Sequence, residues 1–296
     1  VDSLVGGGVT TSNVTYVGAD VAAGTFSGGL PVLGAFDSGV ILSTGDVSFV
    51  VGPNQFDGVT EVNNTAGDTQ LGALSGFPTF DASVLEFDFV PASDTVVFRF
   101  VFASEEYNEW VDSEYNDVFA FYVNGNNCAL VPGAGQPITI NTINNGTNPS
   151  LYRDNEIPDG TLDTEMDGLT VVLTCIAGVN EGVNNHIKLA IADAGDSQLD
   201  SVVFIGANSL VGSGPGDPDC NALINSLDAL VTLRVVAALT VNAECIPNSD
   251  VNCSGNLTSV DALLILRFVA GLPVQLPPGC PPIGSGPPSP TASPTP

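Results

Sequence analysis

The chain has 296 residues, and its five Lys+Arg stand against 33 Asp+Glu for a net charge of −28. So one-sided a charge excludes nucleic acid and anionic lipid as partners, because both demand a basic face. Apolar residues make up 44% and charged residues 13%, which excludes a disordered acidic tail and leaves chain enough for one large domain and a small one.

The chain begins at Val1 without Met, as expected of a mature product whose signal peptide has been removed. No stretch is long and apolar enough to span a bilayer. Residues 1 to about 210 are rich in Gly, Val, Thr, Asn and Phe and read as one β domain. Period-two alternation predicts strands at 84–90, 95–103, 117–124, 169–176, 186–193 and 201–207. In Val97-Phe-Arg-Phe-Val-Phe102 both faces are largely apolar, which predicts a central strand. No amphipathic helix is evident among them, so the expected fold is mainly β, a jelly-roll-like β-sandwich.

The loop after residue 103 carries Glu105, Glu106, Glu109, Asp112, Glu114, Asn116 and Asp117, and a second acidic loop follows the strand at 186–193. Carboxylates crowded at strand ends repel one another unless a cation sits among them. Hard oxygen ligands without cysteine or clustered histidine point to Ca²⁺. The expected ligands here are Glu105, Glu106, Asn116, Asp117, Asp193 and Asp196. Paired carboxylates also serve glycoside hydrolysis, but no nucleophile elbow, phosphate loop or dinucleotide fingerprint accompanies them. The only histidine, His186, reads as structural. The expectation is that the chain is not an enzyme.

Residues 212–216, Gly-Ser-Gly-Pro-Gly, form a linker. Beyond it, Asp217-Pro-Asp-Cys-Asn-Ala-Leu-Ile-Asn-Ser-Leu-Asp228 is echoed by Asp250-Val-Asn-Cys-Ser-Gly-Asn-Leu-Thr-Ser-Val-Asp261. Each copy sets oxygen side chains at loop positions 1, 3, 5, 9 and 12, the spacing of an EF-hand-type calcium loop with Asp at the last place. Each runs into an apolar helix pattern. Cys220 and Cys253 hold the same loop position, and each has a cysteine downstream. This predicts Cys220–Cys245 and Cys253–Cys280, with Cys128–Cys175 left for the large domain. Pairing Cys220 with Cys253 and Cys245 with Cys280, or Cys220 with Cys280 and Cys245 with Cys253, stays open on the sequence. Disulfides imply an oxidising compartment. Residues 281–296 are a Pro/Ser/Thr tail that cannot bury a core. Its Ser289, Thr291, Ser293 and Thr295 are O-glycosylation candidates. N-x-Ser/Thr sequons at Asn13, Asn63 and Asn145 are N-glycosylation candidates.

Two family resemblances follow from these residues. The repeat pair, with Asn-Ser-Leu-Asp-Ala-Leu and Thr-Ser-Val-Asp-Ala-Leu each followed by Leu-Arg, resembles a type I dockerin over 217–280. That resemblance implies one Ca²⁺ per loop. Its ligands would be Asp217, Asp219, Asn221, the Leu223 carbonyl and Asp228, then Asp250, Asn252, Ser254, the Asn256 carbonyl and Asp261. Asn225 and Thr258 would act through water. It also implies cohesin as a partner. The segments Val84-Leu-Glu-Phe-Asp-Phe, Phe102-Ala-Ser-Glu-Glu-Tyr-Asn-Glu, Asn116-Asp-Val-Phe-Ala-Phe and His186-Ile-Lys-Leu-Ala-Ile-Ala-Asp-Ala-Gly-Asp-Ser resemble a choice-of-anchor L domain. With Gly39-Val-Ile-Leu-Ser-Thr-Gly-Asp-Val, the likeness spans most of 1–211. It implies a secreted or cell-surface bacterial protein and no particular activity.

The expected function is a calcium-stabilised surface protein that self-associates into an extracellular filament or other homopolymeric assembly. The alternative is an adhesion module for cohesin or surface glycans, with Tyr107, Trp110 and Tyr115 as the aromatic candidates for sugar stacking.

Overall fold

The computed structural model describes the chain except residues 7, 8, 92, 213, 220–223, 242, 244 and 285–296. In chain order the strands are β1 Val9–Val17, β2 Ala23–Ser27, β3 Ser38–Ser43, β4 Thr79–Pro91, β5 Thr95–Ser104, β6 Val118–Val123 and β7 Asn126–Asn127. They continue as β8 Ile138–Thr139, β9 Tyr152–Asp154, β10 Gly168–Thr170, β11 Leu173–Gly178, β12 Asn185–Ala194, β13 Ser201–Gly206 and β14 Val211–Gly212. The helices are α1 Leu30–Leu33, α2 Thr69–Ser75, α3 Ser226–Val236 and α4 Ser259–Val269.

The strands form two antiparallel sheets. One runs β1-β4-β12-β6-β7, with β8 on β6. The other runs β2-β3-β13-β5-β10-β9, with β11 and β14 on β5. They face each other across a core of phenylalanines. Phe98 and Phe100 of β5 meet Phe121 and Phe119 of β6 with ring centroids 4.7 and 5.3 Å apart. Each fully buried ring contributes roughly 1.5–3 kcal/mol of transfer free energy.

β5 is the central strand that its two apolar faces predict. Phe98, Phe100 and Phe102 point between the sheets. Val101 and Ala103 point outward, into a second cluster with Leu33, Met166, Leu169, Val202 and Phe204. The outer face of the other sheet is covered by α2, whose Leu71 packs on Ala82, Val118, Ala120 and Ala190. Two short helices, α1 and α2, therefore interrupt a region where none is evident from the sequence. Asp68 caps α2 by accepting from Gln70 N and Leu71 N, and this cap supplies the start signal that seven residues are too few to give by periodicity. The expected strand at 169–176 is two strands, because β10 and β11 pair with different stretches of β5.

The Cys128–Cys175 disulfide joins the segment after β7 to β11. Past the sheets, α3 and α4 lie against each other over a small core of Ala229, Val251, Ala262, Ile265 and Ile283. Cys245 packs on Val97 of β5 and on Ile176, which seats this part against the sandwich. The Cys253–Cys280 pairing is present. Cys245 is also in a disulfide, and its expected partner, Cys220, lies outside the described residues.

Candidate functional site

Strand parity builds an acidic site at one end of the sandwich. Continuing the inward series of β5 past Phe102 gives Ser104 and then Glu106. The inward series of β6, Phe121 and Phe119, runs back to Asp117. That of β12, Leu189 and Ile191, runs on to Asp193, beside a register shift against β4 between Ile191 and Asp193. Glu106, Asp117 and Asp193 are all buried, together with Thr44, Ser104 and Ser201. Ala194 N donates to Asp117 Oδ1 at 2.9 Å, and Asp117 N donates to Glu106 Oε2 at 3.4 Å. Asp117 Oδ2 and Asp193 Oδ1 are buried without a hydrogen-bond partner. Burial holds Glu106 and Asp193 well above the usual carboxylate range, and repulsion from Asp117 adds to it. Asp117 is pushed up by burial as well.

The opposite parity of β5 places Glu105 on the other side of its sheet, with Asp167 and Glu165 beside β10 and with Asp200 before β13. Burial, then repulsion from Asp167, pushes Glu105 up to about 9. Burial likewise raises Asp167 to about 8 and Asp200 to about 7. Gly45 lets the Asp200 carboxylate approach, since a Cβ there would lie 1.7 Å from Asp200 Oδ2.

A strap without helix or strand, residues 53–65, closes this outer side. Its backbone N–H groups donate to buried carboxylates one after another. Phe56 N reaches Glu165 Oε1 at 3.1 Å, Val59 N reaches Glu105 Oε2 at 3.2 Å, and Glu61 N reaches Asp200 Oδ2 at 3.0 Å. Asn63 N and Thr65 N donate to Asp81 at 3.1 and 2.6 Å. Asn54 Nδ2 donates to Asp167 Oδ1 at 2.7 Å. Among the described residues the ion pairs are Lys188 with Asp68 and His186 with Glu86 and Asp88.

In the C-terminal part, Asp217, Asp219 and Asp228 bring one carboxylate oxygen each to within 4.8 Å of one another. Asp228 Oδ1 is buried and unpartnered, and burial followed by repulsion from Asp219 and Asp217 raises Asp228 to about 7. In the second loop Asp250 accepts from Ser254 N and Gly255 N at 3.0 and 2.8 Å. Asn252 Oδ1 accepts from Ser254 N at 2.9 Å, and Asp261 Oδ1 accepts from Asn252 N at 3.3 Å. Gly255 at φ 75° makes the turn that lets both amides point at Asp250. Asn225 and Thr258, expected to reach a metal through water, are the N-caps of α3 and α4, each closed into a capping box by Asp228 or Asp261.

The family model of the choice-of-anchor L domain matches residues 1–211. The chain belongs to the choice-of-anchor L family. Membership marks it as a bacterial surface-associated protein. Among the described residues no helix is long and apolar enough to cross a membrane. No curated protein matches the chain. Solved structures with partial likeness include a beta-glucosidase from Kluyveromyces marxianus, at 12% identity and TM-score 0.24 over 55% of this chain and 13% of that one. The same enzyme in complex with glucose gives 12% and 0.25, over 67% and 18%. The enzymatically active domain of tailspike protein 4 from bacteriophage CBA120 gives 10% and 0.21, over 68% and 19%. The chain thus spans less than a fifth of each of these structures, and scores this low carry no argument about fold or activity.

Within the choice-of-anchor L domain, the expected ligands do not form one site. Glu106, Asp117 and Asp193 converge inside, while Glu105 lies outside with residues the sequence reading did not single out. Asn116 is buried, but its Oδ1 accepts from Asn141 N at 3.2 Å and so faces the 137–144 segment. Asp196 is half-buried and accepts from Gln198 N at 2.9 Å. It lines a pocket of about 270 Å³ with Glu106, Trp110, Tyr115, Gln198 and Leu199. Trp110 and Tyr115 meet edge to face at 5.1 Å. Tyr107 is fully buried against Tyr152, which removes it as a stacking surface. Asn13 and Asn145 are exposed, with Asn13 Nδ2 donating to Asp88 Oδ2 at 2.7 Å, and Asn63 Nδ2 donates to the Thr44 carbonyl at 2.6 Å. Asn221, Leu223, Ser289, Thr291, Ser293 and Thr295 lie outside the described residues.

Proposed function

We propose that this chain is a calcium-stabilised structural protein of the bacterial cell surface, with a choice-of-anchor L domain carrying a dockerin-like pair of calcium loops. The observation that carries the reading is the convergence of one carboxylate oxygen each from Asp217, Asp219 and Asp228 to within 4.8 Å of one another. Three carboxylates at this spacing are costly unless a hard cation joins them. The second loop supports it, because its backbone amides already hold Asp250 and Asn252 in a compact turn. Calcium at the inner site of Glu106, Asp117 and Asp193 belongs to the same proposal. Crossing connections between the sheets, as from β3 to β4, β4 to β5 and β5 to β6, support the jelly-roll-like reading of the large domain.

Calcium in this role holds shape and does not catalyse, and no catalytic task is proposed. Self-association into a filament fits a subunit stapled by disulfides and cations, and a head-to-tail contact that does not close yields fibres. Negative-stain microscopy of the purified chain in calcium and in EDTA tests it. Filaments in calcium support assembly, and monomers in both conditions reject it.

A second reading, an adhesion module, has its own support. Leu227, Leu230, Leu233 and Val236 of α3 and Val260, Leu263, Leu266 and Val269 of α4 form matching exposed apolar stripes. Such stripes suit a protein partner of the cohesin type, and the Trp110–Tyr115 pocket suits a sugar. Pull-down with cohesin domains and a glycan array separate these from self-assembly.

A further inference from the structure

The outer side of β5 holds a second group of oxygens that the calcium loops and the inner site leave unexplained. Glu105 is 1% exposed and Asp167 0%. Each has one carboxylate oxygen satisfied, Glu105 Oε2 by Val59 N and Asp167 Oδ1 by Asn54 Nδ2. The other oxygen of each, Glu105 Oε1 and Asp167 Oδ2, is buried with no partner. Two side-chain amide oxygens are in the same condition, Asn54 Oδ1 and Asn108 Oδ1. Their nitrogens fix which way they face. Asn54 Nδ2 donates to Asp167 and to the Asn155 carbonyl, and Asn108 Nδ2 donates to Tyr152 Oη and Glu156.

Asp57, Glu109 and Glu156 add their charge around Asp167. Asn54 bonds Asp167, Asp167 repels Glu105, and Asn108 bonds Glu156, whose charge acts on Asp167, so these oxygens share one neighbourhood, and a buried oxygen left without a partner is costly. Water donates to such acceptors but leaves the repulsion between Glu105 and Asp167 in place. A divalent cation satisfies unpartnered oxygens of this kind and cancels the repulsion. Carboxylate and amide oxygens select a hard ion, and a flexible, mixed set suits calcium better than the strict octahedron of magnesium.

We propose that Glu105, Asp167, Asn54 and Asn108 bind a calcium-class cation beneath the strap of residues 53–65. The ion would fasten the strap to β5 and β10 through Asn54, adding a side-chain tether to the backbone bonds that already hold it. The site is independent of the C-terminal loops, which lie in another part of the chain.

The test uses the full chain, stripped with EDTA and titrated with calcium alone in a calorimeter. Three proteins are compared: the unaltered chain, the Glu105→Gln/Asp167→Asn variant, and an Asp219→Ala/Asp250→Ala variant that disables the C-terminal loops. The expected result is that Glu105→Gln/Asp167→Asn binds one ion fewer than the unaltered chain, while Asp219→Ala/Asp250→Ala keeps that ion. Both substitutions in the first variant remove charge and keep shape. In EDTA that variant therefore melts at or above the unaltered chain, and in calcium below it. An unchanged number of bound ions overturns the proposal. So does a variant that melts lower in EDTA, because the carboxylates would then act through hydrogen bonds of their own.

Discussion

Glu105 and Glu106 are neighbours in sequence and occupy different sites. The reason is the period-two geometry of β5, which sends Phe102, Ser104 and Glu106 inward and Ala103 and Glu105 outward. That alternation is written in Phe100-Val-Phe-Ala-Ser-Glu-Glu106, so the split was legible. What was not legible is the company each keeps. Asp167 and Asn54 lie far from Glu105 in the chain, and only the β5–β10 pairing and the strap bring them there. The buried carboxylates also set a pH response. A carboxyl whose pKa is raised on folding holds its proton more tightly in the native state than in the unfolded one, so stability falls as pH rises between the two values. With Asp200, Asp167 and Glu105 raised to about 7, 8 and 9, the contribution of these carboxyls to the calcium-free chain should be greatest near about pH 4 and be lost progressively toward about pH 9. Melting curves in EDTA across that range check it, and a melting temperature that holds or rises would contradict it. At the α4 cap, Thr258→Ala should cost about 1 kcal/mol, read by urea unfolding, because Val260 N loses its side-chain acceptor.

At the scale of elements, the central strands are the most legible. Phe98 to Phe102 combine high β propensity with two apolar faces. Phe100→Ala should destabilise the domain by about 3–5 kcal/mol, since it empties a site packed by Phe119 and Phe121. Urea unfolding measures the loss. β1 is harder to read, because its Val9–Val17 stretch is largely exposed at a sheet edge and shows little apolar alternation. The strap has no periodicity, since its order comes from carboxylates supplied by other elements. The two C-terminal units repeat in detail as well as in pattern. Arg234 bonds the Thr240 carbonyl and Arg267 the Pro273 carbonyl, the same interaction one repeat on. With five buried apolar side chains among the described residues the shared core is small, so the Cys253–Cys280 disulfide carries a large share of its stability. Replacing Cys253 and Cys280 with Ser frees a 27-residue separation, which the chain-entropy relation values at about 3.5 kcal/mol. Melting of this part ahead of the sandwich is the expected signature.

At the scale of the molecule, the chain gathers carboxylates at the strand ends of a two-sheet domain and again in two C-terminal loops, with few cations to oppose them. Composition made that excess visible at once, and the segments around 84, 102, 116 and 186 made the family visible. Which residues join Glu106 inside and Glu105 outside was hidden, because it depends on which face of a sheet each loop leaves. We propose that bound calcium is part of the folded structure. Scanning calorimetry of one sample in calcium, then in EDTA, then with calcium restored, tests this most directly. Calcium at a hundredfold excess over its dissociation constant stabilises by about 2.7 kcal/mol per site, so the account predicts a melting temperature that falls on chelation and returns on restoration. The same melting temperature in all three conditions would contradict it.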